Sequence, residues 1–339
     1  MTIKVAVIGV GSMGRNHARV YWEMPAVELV AIADKDDKLV TSLAARYNTK
    51  AYTDFREMLD KERPEAVTIA VPTSLHLEVA LEVIRRGIHL LIEKPIALSE
   101  EEGERIIQEA RNNNCRLMIG HIERFNPAII ELKQRITRGE LGRIFQIDAR
   151  RLGPFPIRIS DVGVVIDLAV HDLDIMRYVT GCEVVRVYAE AAQRVHSLRE
   201  DLLTSLIRLD DGTIGTLNIN WLTPTKIREL DVLGECGLFH VNYITQDLYF
   251  YRNATIENGN WDTLKILRGV SEGEMTRFAI NKKEPLRSEQ ESFLAAVRGE
   301  GDIPVRGEDG LSVLRLAQAL VNSGNQHSAI DLGTRAVLP

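Results

Sequence analysis

The sequence predicts an α/β protein in two parts. Residues 1–121 read as a doubly wound parallel sheet, and residues 122–339 as an α+β domain on an open-faced, mainly antiparallel sheet. Three observations predict this. Continuous Val/Ile/Leu runs alternate with helical periodicities over the first 120 or so residues, as strands covered on both faces by helices require. Glycines at positions 9, 11 and 14 fall between the first strand run and the first helical run. After "GHIERFNP" the texture changes to period-two alternation broken by hairpin turns.

The elements follow in order. "TIKVAVIGV" is a buried strand and "GRNHARVYWEM" the helix after it. "VELVAIAD", "AVTIAVP", "IHLLIEKP" and "CRLMIGH" are the second to fifth strands, with the helical "LHLEVALEVIRRG" between the third and fourth. Ser99 and Glu102 make a capping box that opens a helix running to Asn114. In the second part, "PAIIELKQRITRG" is a helix ended by Gly139. "RIFQIDARRL" and "EVVRVYAEAAQ" are strands, and "LLTSLIRL" and "TIGTLNINWL" form a hairpin about Asp210, Asp211 and Gly212. "IRELDVL" and "LFHVNY" form another about "GECG", and the helices "SEQESFLAAVRG" and "EDGLSVLRLAQALVNSG" close the chain.

Composition narrows the function. The 339 residues are 45% hydrophobic and 27% charged, an ordinary globular balance. A net charge of -6 offers no basic face for nucleic acid. Cys115, Cys182 and Cys236 are sparse and lack zinc spacing, which suits a reducing compartment. No apolar run approaches the roughly 18 residues of a membrane helix. The N-terminal stretch also lacks the signature of a signal peptide, so a cytoplasmic protein is expected.

In "GVGSMG", Gly9 permits a tight turn and Gly11 lets the backbone approach a pyrophosphate. Gly14 allows the helix to pack against its strand, with Ser12 and Met13 on the loop between. The positive end of that helix faces the phosphates. Asp34 ends the second strand, 20 residues beyond Gly14. A carboxylate there accepts from both adenosine ribose hydroxyls and repels a 2'-phosphate, so the cofactor is read as NAD; Lys35 beside it leaves room for NADP. A tight turn with a surface aspartate is the bland alternative, and it explains less of the pattern.

Ligands of doubly wound sheets lie at the carboxyl ends of the strands. "AVPTSLH" brings Pro72, Thr73 and His76 there, though His76 also suits a local contact at a helix start. "IEKP" puts Glu93 and Lys94 after a buried strand, either as a solvated strand end or beside the nicotinamide. In "VIDLAVHDLD", Asp167 and His171 are one helical turn apart on one face, and Asp174 lies a turn further. The run alone admits a structural pair, metal ligands or an acid/base pair. It offers no second histidine and no carboxylates beyond Asp172 and Asp174, so no metal is expected.

"GVGSMG", "EKP" and "DVGVVIDLAVHDLD" together resemble the glucose–fructose oxidoreductase/inositol dehydrogenase (Gfo/Idh/MocA) family, over nearly the whole chain. "TIAVPTSLH", "GHIERFNPA" and "ARRLGPFPIRISDVGVVIDLAVHDLDIMRY" are most similar to its archaeal-type branch acting on UDP-N-acetylglucosamine. The resemblance implies an NAD-dependent dehydrogenase that oxidises a secondary sugar hydroxyl, C3 of UDP-N-acetylglucosamine. It implies Lys94 holding the substrate hydroxyl, His171 as general base and Asp167 on the adjacent hydroxyl or tuning the histidine. It also implies Glu93 beside the nicotinamide ribose. For the diphosphate the expected cations are Arg124, Arg151 and Arg158, the last in the Pro/Gly-rich "GPFPIRIS", a lid over the sugar. Arg124 suits a domain junction equally well. A dehydrogenase of a free polyol such as an inositol is the alternative enzyme. A silent nucleotide sensor would have lost Lys94 or the Asp167/His171 pair, and the chain keeps all three. The apolar open face of the second sheet suggests a homodimer or homotetramer.

Overall fold

The computed structural model describes residues 2–156, 163–195, 199–253 and 272–333. Chain contacts divide it into two compact units, residues 1–122 with 284–315, and residues 123–283 with 316–339.

The first unit runs β1 (Ile3–Ile8), α1 (Gly14–Glu23), β2 (Val27–Ala33), α2 (Asp37–Tyr47), β3 (Lys50–Tyr52), α3 (Phe55–Glu62), β4 (Ala66–Ile69), α4 (His76–Arg85), β5 (His89–Glu93), α5 (Glu100–Asn112) and β6 (Leu117–Gly120). Its six strands lie parallel in the order β3-β2-β1-β4-β5-β6. The order reverses at β1/β4, so the carboxyl ends of these strands open a crevice there. β4 and β6 are buried at every residue, as strands covered on both faces must be. The apolar runs predict five strands; β3 is the sixth, too short and too polar to register as an apolar run. It is reached through α2, capped by Asp36, and followed by α3, capped by Asp54.

The second unit holds α6 (Pro127–Thr137), β7 (Ile144–Leu152), α7 (Val170–Thr180), β8 (Val184–Ala192), β9 (Leu202–Leu209), β10 (Ile214–Asn220), β11 (Ile227–Gly234), β12 (Gly237–Asn242), β13 (Asp247–Asn253) and β14 (Glu272–Arg277). α8 (Pro285–Val297) and α9 (Gly307–Gln326) follow, and β15 (Ile330–Asp331) ends the described chain. The nine-stranded sheet has the order β14-β13-β12-β11-β7-β10-β9-β8-β15. Only the β7–β10 pair is parallel. Burial alternates strictly along β9 and β12, so one face meets α6 and α7 and the other is open.

One boundary differs from expectation. Glu284–Arg315, read with the second domain, belongs to the first unit. α8 buries Leu286, Phe293 and Leu294, and α8 packs against α1. Val305 accepts the Ile119 N–H at 3.1 Å. An amphipathic helix advertises that it has a buried face, and chain order does not say against which partner.

Candidate functional site

The first unit carries a cradle shaped by two backbone constraints and one open position. Gly9 has φ +85°, and a Cβ there would lie 2.7 Å from the Ala70 carbonyl. At Gly14 a Cβ would sit 1.8 Å from the Gly9 oxygen, so only glycine lets α1 start this close to the loop. Gly11 differs from both, because nothing lies within 4 Å of its missing Cβ. Ser12 is exposed on the loop, and Met13 is the N-cap of α1.

Asp34 completes the cradle. One carboxylate oxygen accepts the Val10 N–H at 2.7 Å and the other the Asp36 N–H at 3.0 Å. The side chain thereby ties β2 to the glycine loop and keeps lone pairs directed at a cavity of about 730 Å³. Gly9, Gly11, Asp34, Lys35 and Pro72 line that cavity, with Leu39 and Val79 as apolar walls. Space over Gly11, an α-helix N-terminus and a carboxylate in one groove fit a dinucleotide.

Thr73 opens a short 3₁₀ turn, Thr73–Leu75, after Pro72. His76 is buried: Nε2 lies 3.0 Å from the Val71 carbonyl and Nδ1 2.9 Å from that of Pro95. Desolvation holds this imidazole below its ordinary range. His76 thus staples the β4 loop to the β5 loop, the local-contact reading of that residue.

Glu93 ends β5 opposite Gly120 of β6, whose missing Cβ would lie 3.4 Å from the Glu93 carboxylate. Its Oε1 is 2.8 Å from His17 Nε2, and its Oε2 accepts the Lys94 N–H at 3.2 Å. His17 is itself fully buried, and Gln290 of α8 lies against its ring. The Gln290 amide nitrogen donates to the His17 carbonyl at 3.2 Å and lies 2.9 Å from Nδ1. Burial alone would raise the Glu93 carboxyl, but the hydrogen bond and positive field of His17, with the Lys94 charge and N–H, hold it below the usual range. Lys94 follows, half-buried. His17 and Gln290 were not singled out in the sequence; the available signal was a histidine on the apolar stripe Gly14, Ala18, Tyr21 of α1.

In the second unit, a π-helical turn, Val165–Ala169, leads into α7. Asp167 and His171 are half-buried one turn apart, while Asp172 and Asp174 are each only 1% exposed. Arg151 clamps Asp172 with Nε at 2.6 Å and Nη2 at 3.0 Å, and its Nη1 reaches Glu123 at 2.9 Å. Arg124 clamps Asp174 at 2.8 and 2.6 Å. These arginines, expected on a diphosphate, have their forks committed to buried carboxylates and act as anchors for the helix. Arg150 points to the opposite face by strand alternation and pairs with Glu229 at 3.0 Å. Arg158 lies outside the described residues.

Residues 3–121 match the Gfo/Idh/MocA oxidoreductase family, NAD-binding Rossmann fold, and residues 129–240 match the Gfo/Idh/MocA C-terminal domain. The chain is 30% identical over 315 residues to a UDP-N-acetylglucosamine 3-dehydrogenase of Acidithiobacillus ferrooxidans, covering 93% of this chain and 95% of the relative. It is 25% identical over 342 residues to a myo-inositol 2-dehydrogenase of Thermotoga maritima, covering 97% and 98%. A solved structure of the Acidithiobacillus enzyme superposes with a TM-score of 0.85 at 28% identity, over 95% of this chain and 97% of that one.

Proposed function

The chain belongs to the Gfo/Idh/MocA oxidoreductase family and is an NAD-dependent dehydrogenase, and from that premise we propose that it oxidises C3 of UDP-N-acetylglucosamine to the 3-keto sugar. The observation that carries the reading is the presence of Lys94, Asp167 and His171 in a chain 30% identical, over 93% of its length, to a UDP-N-acetylglucosamine 3-dehydrogenase.

Each residue has a defined task. Bound NAD supplies the hydride acceptor. Gly9, Gly11 and the α1 N-terminus hold its pyrophosphate, and Asp34 its adenosine ribose. Glu93 borders the nicotinamide ribose. Lys94 steadies the sugar hydroxyl oxygen with a positive charge as alkoxide character develops there. His171 takes the hydroxyl proton, a task suited to imidazole at neutral pH. Asp167, one turn before it, accepts from the neighbouring hydroxyl and orients the ring.

NADH absorbance on mixing enzyme, NAD and UDP-N-acetylglucosamine tests the reading. Turnover with that sugar nucleotide and little with inositols is expected. Lys94→Met and His171→Ala should each lower kcat about 100-fold or more, with NAD affinity changed by no more than a few-fold. Turnover of myo-inositol with none of UDP-sugars transfers the assignment to a polyol. Unchanged kcat in both variants removes the mechanism.

We propose further that the open sheet face joins copies of this chain into a dimer or tetramer. Met275, Tyr251, Leu238 and Leu233 stand in register on neighbouring strands there. Such an apolar row on an exposed face supports a self-association surface. Three free cysteines support a cytoplasmic setting.

A further inference from the structure

We infer that Arg228, with Lys226 beside it, is the subsite that holds the phosphate groups of the substrate; the inference rests on the sugar-nucleotide reading above. Arg228 lies on β11 directly across from Arg151 of β7, on the side of the sheet that α7 covers. The two residues are neighbours with opposite circumstances. Arg151 is buried and has both faces of its fork on carboxylates. Arg228 is half-buried, and among the described residues no carboxylate comes within ion-pairing distance of it. Its Nη1 donates to the main-chain carbonyls of Leu152 and Ile227, the latter at 2.8 Å. Those bonds aim the guanidinium and leave Nη2 and Nε without acceptors among the described residues.

Gly153 leaves the edge of this group clear. A Cβ at that position would lie 3.7 Å from Arg228 Nη2 and 3.7 Å from Lys226 Cγ. Two cations therefore flank one residue that has no side chain. The setting also leaves Arg228 short of compensation. Burial and the like charge of Arg151 pull its guanidinium down to about 10, against the opposing fields of Asp172, Glu123 and Asp167. It stays cationic at neutral pH and gains from any anion placed on its open donors. Its register partner Arg151 clamps Asp172 of α7, the helix that carries His171, so Arg228 shares the sheet face beneath that helix.

A planar fork with two free donor directions suits phosphate oxygens, and an adjacent flexible ammonium suits a second charge. That combination fits a diphosphate better than a neutral polyol, which would leave both cations without a partner. Arg124 and Arg151 cannot serve without abandoning Asp174 and Asp172, so Arg228 takes the role expected of them.

Calorimetric titration of the NAD-loaded enzyme with UDP, uridine and inorganic pyrophosphate tests the assignment. UDP binding should weaken about tenfold or more in Arg228→Met, with partial recovery in Arg228→Lys and a smaller loss in the exposed variant Lys226→Met. Pyrophosphate should follow UDP, whereas uridine and NAD affinities should be equal in all forms. Equal UDP affinity in wild type and Arg228→Met overturns the subsite, as does a wild type that binds uridine as tightly as UDP. If Arg228→Met does not fold, Arg228→Lys and Lys226→Met decide, and unchanged UDP affinity in both overturns it. UDP binding that depends on Arg228 without turnover of UDP-N-acetylglucosamine would leave the subsite standing and remove the proposed reaction. Turnover with unchanged UDP binding does the reverse.

Discussion

Glu289 has a fully buried carboxyl with no hydrogen-bond partner among the described residues, next to the ionised Glu93. Desolvation, reinforced by the Glu93 charge, pushes its pKa well above the ordinary carboxyl range, so Glu289 is the member of the pair that keeps the proton. The folded state then holds a proton that the unfolded chain releases near pH 4.3. Its stabilising effect is complete below that pH and is lost as pH climbs toward the folded value. Replacing Glu289 with Gln removes this dependence. Melting temperature should therefore fall less between pH 5 and pH 8 in the variant than in wild type, and parallel pH profiles would contradict the assignment. None of this was legible in "SEQESFLAAVRG". Glu289 and Gln290 read there as ordinary helix residues, because His17 lies 273 positions from Gln290. By contrast Asp34, Glu93 and Lys94 were legible, since charge at the end of an apolar strand is locally anomalous.

At the scale of elements, the segment Val165–Thr180 shows how far spacing alone carries. Helical period put Asp167 and His171 on one stripe, and both remain partly accessible. The same period put Asp174 a turn further along, and there it is buried against Arg124. The π-helical turn at the start was not legible, because it depends on how the backbone meets its neighbours rather than on side-chain period. What holds this helix is the Arg151–Asp172 and Arg124–Asp174 clamps beneath it. Removing one partner of a buried pair leaves the other charge uncompensated. Arg151→Met should thus destabilise the protein by about 3–5 kcal/mol in denaturant titration, whereas Arg151→Met with Asp172→Leu should recover most of that loss. Equal stability of the single and double variants would count against the clamp. β3 and β15 were missed for a simpler reason: three and two residues hold too few side chains to define a period.

For the whole molecule, the open sheet face presents exposed apolar side chains. Leu206 is 52% exposed and Tyr251 45%, both on strands whose alternate residues are buried, and Met275 is 54% exposed on the neighbouring β14. Charges there should break assembly without touching the core. Leu206→Glu with Tyr251→Glu is expected to shift sedimentation toward the monomer while leaving the melting temperature of the isolated chain nearly unchanged; an unaltered sedimentation coefficient would remove this face as the interface.

The sequence by itself determined the parallel and antiparallel halves, the glycine cradle with Asp34, and the positions of Lys94, Asp167 and His171. Each is written in neighbours along the chain, where turn chemistry, strand burial and helical period act. Only the tertiary structure decided which charges are occupied. It assigned α8 to the first unit, locked His17 onto Glu93, and turned Arg124 and Arg151 from expected ligands into anchors. It left Arg228, across the strand from Arg151, bonded only to main-chain carbonyls among the described residues. The physical reason is that an arginine's role is set by the nearest carboxylate in space, and folding, not chain order, chooses that neighbour.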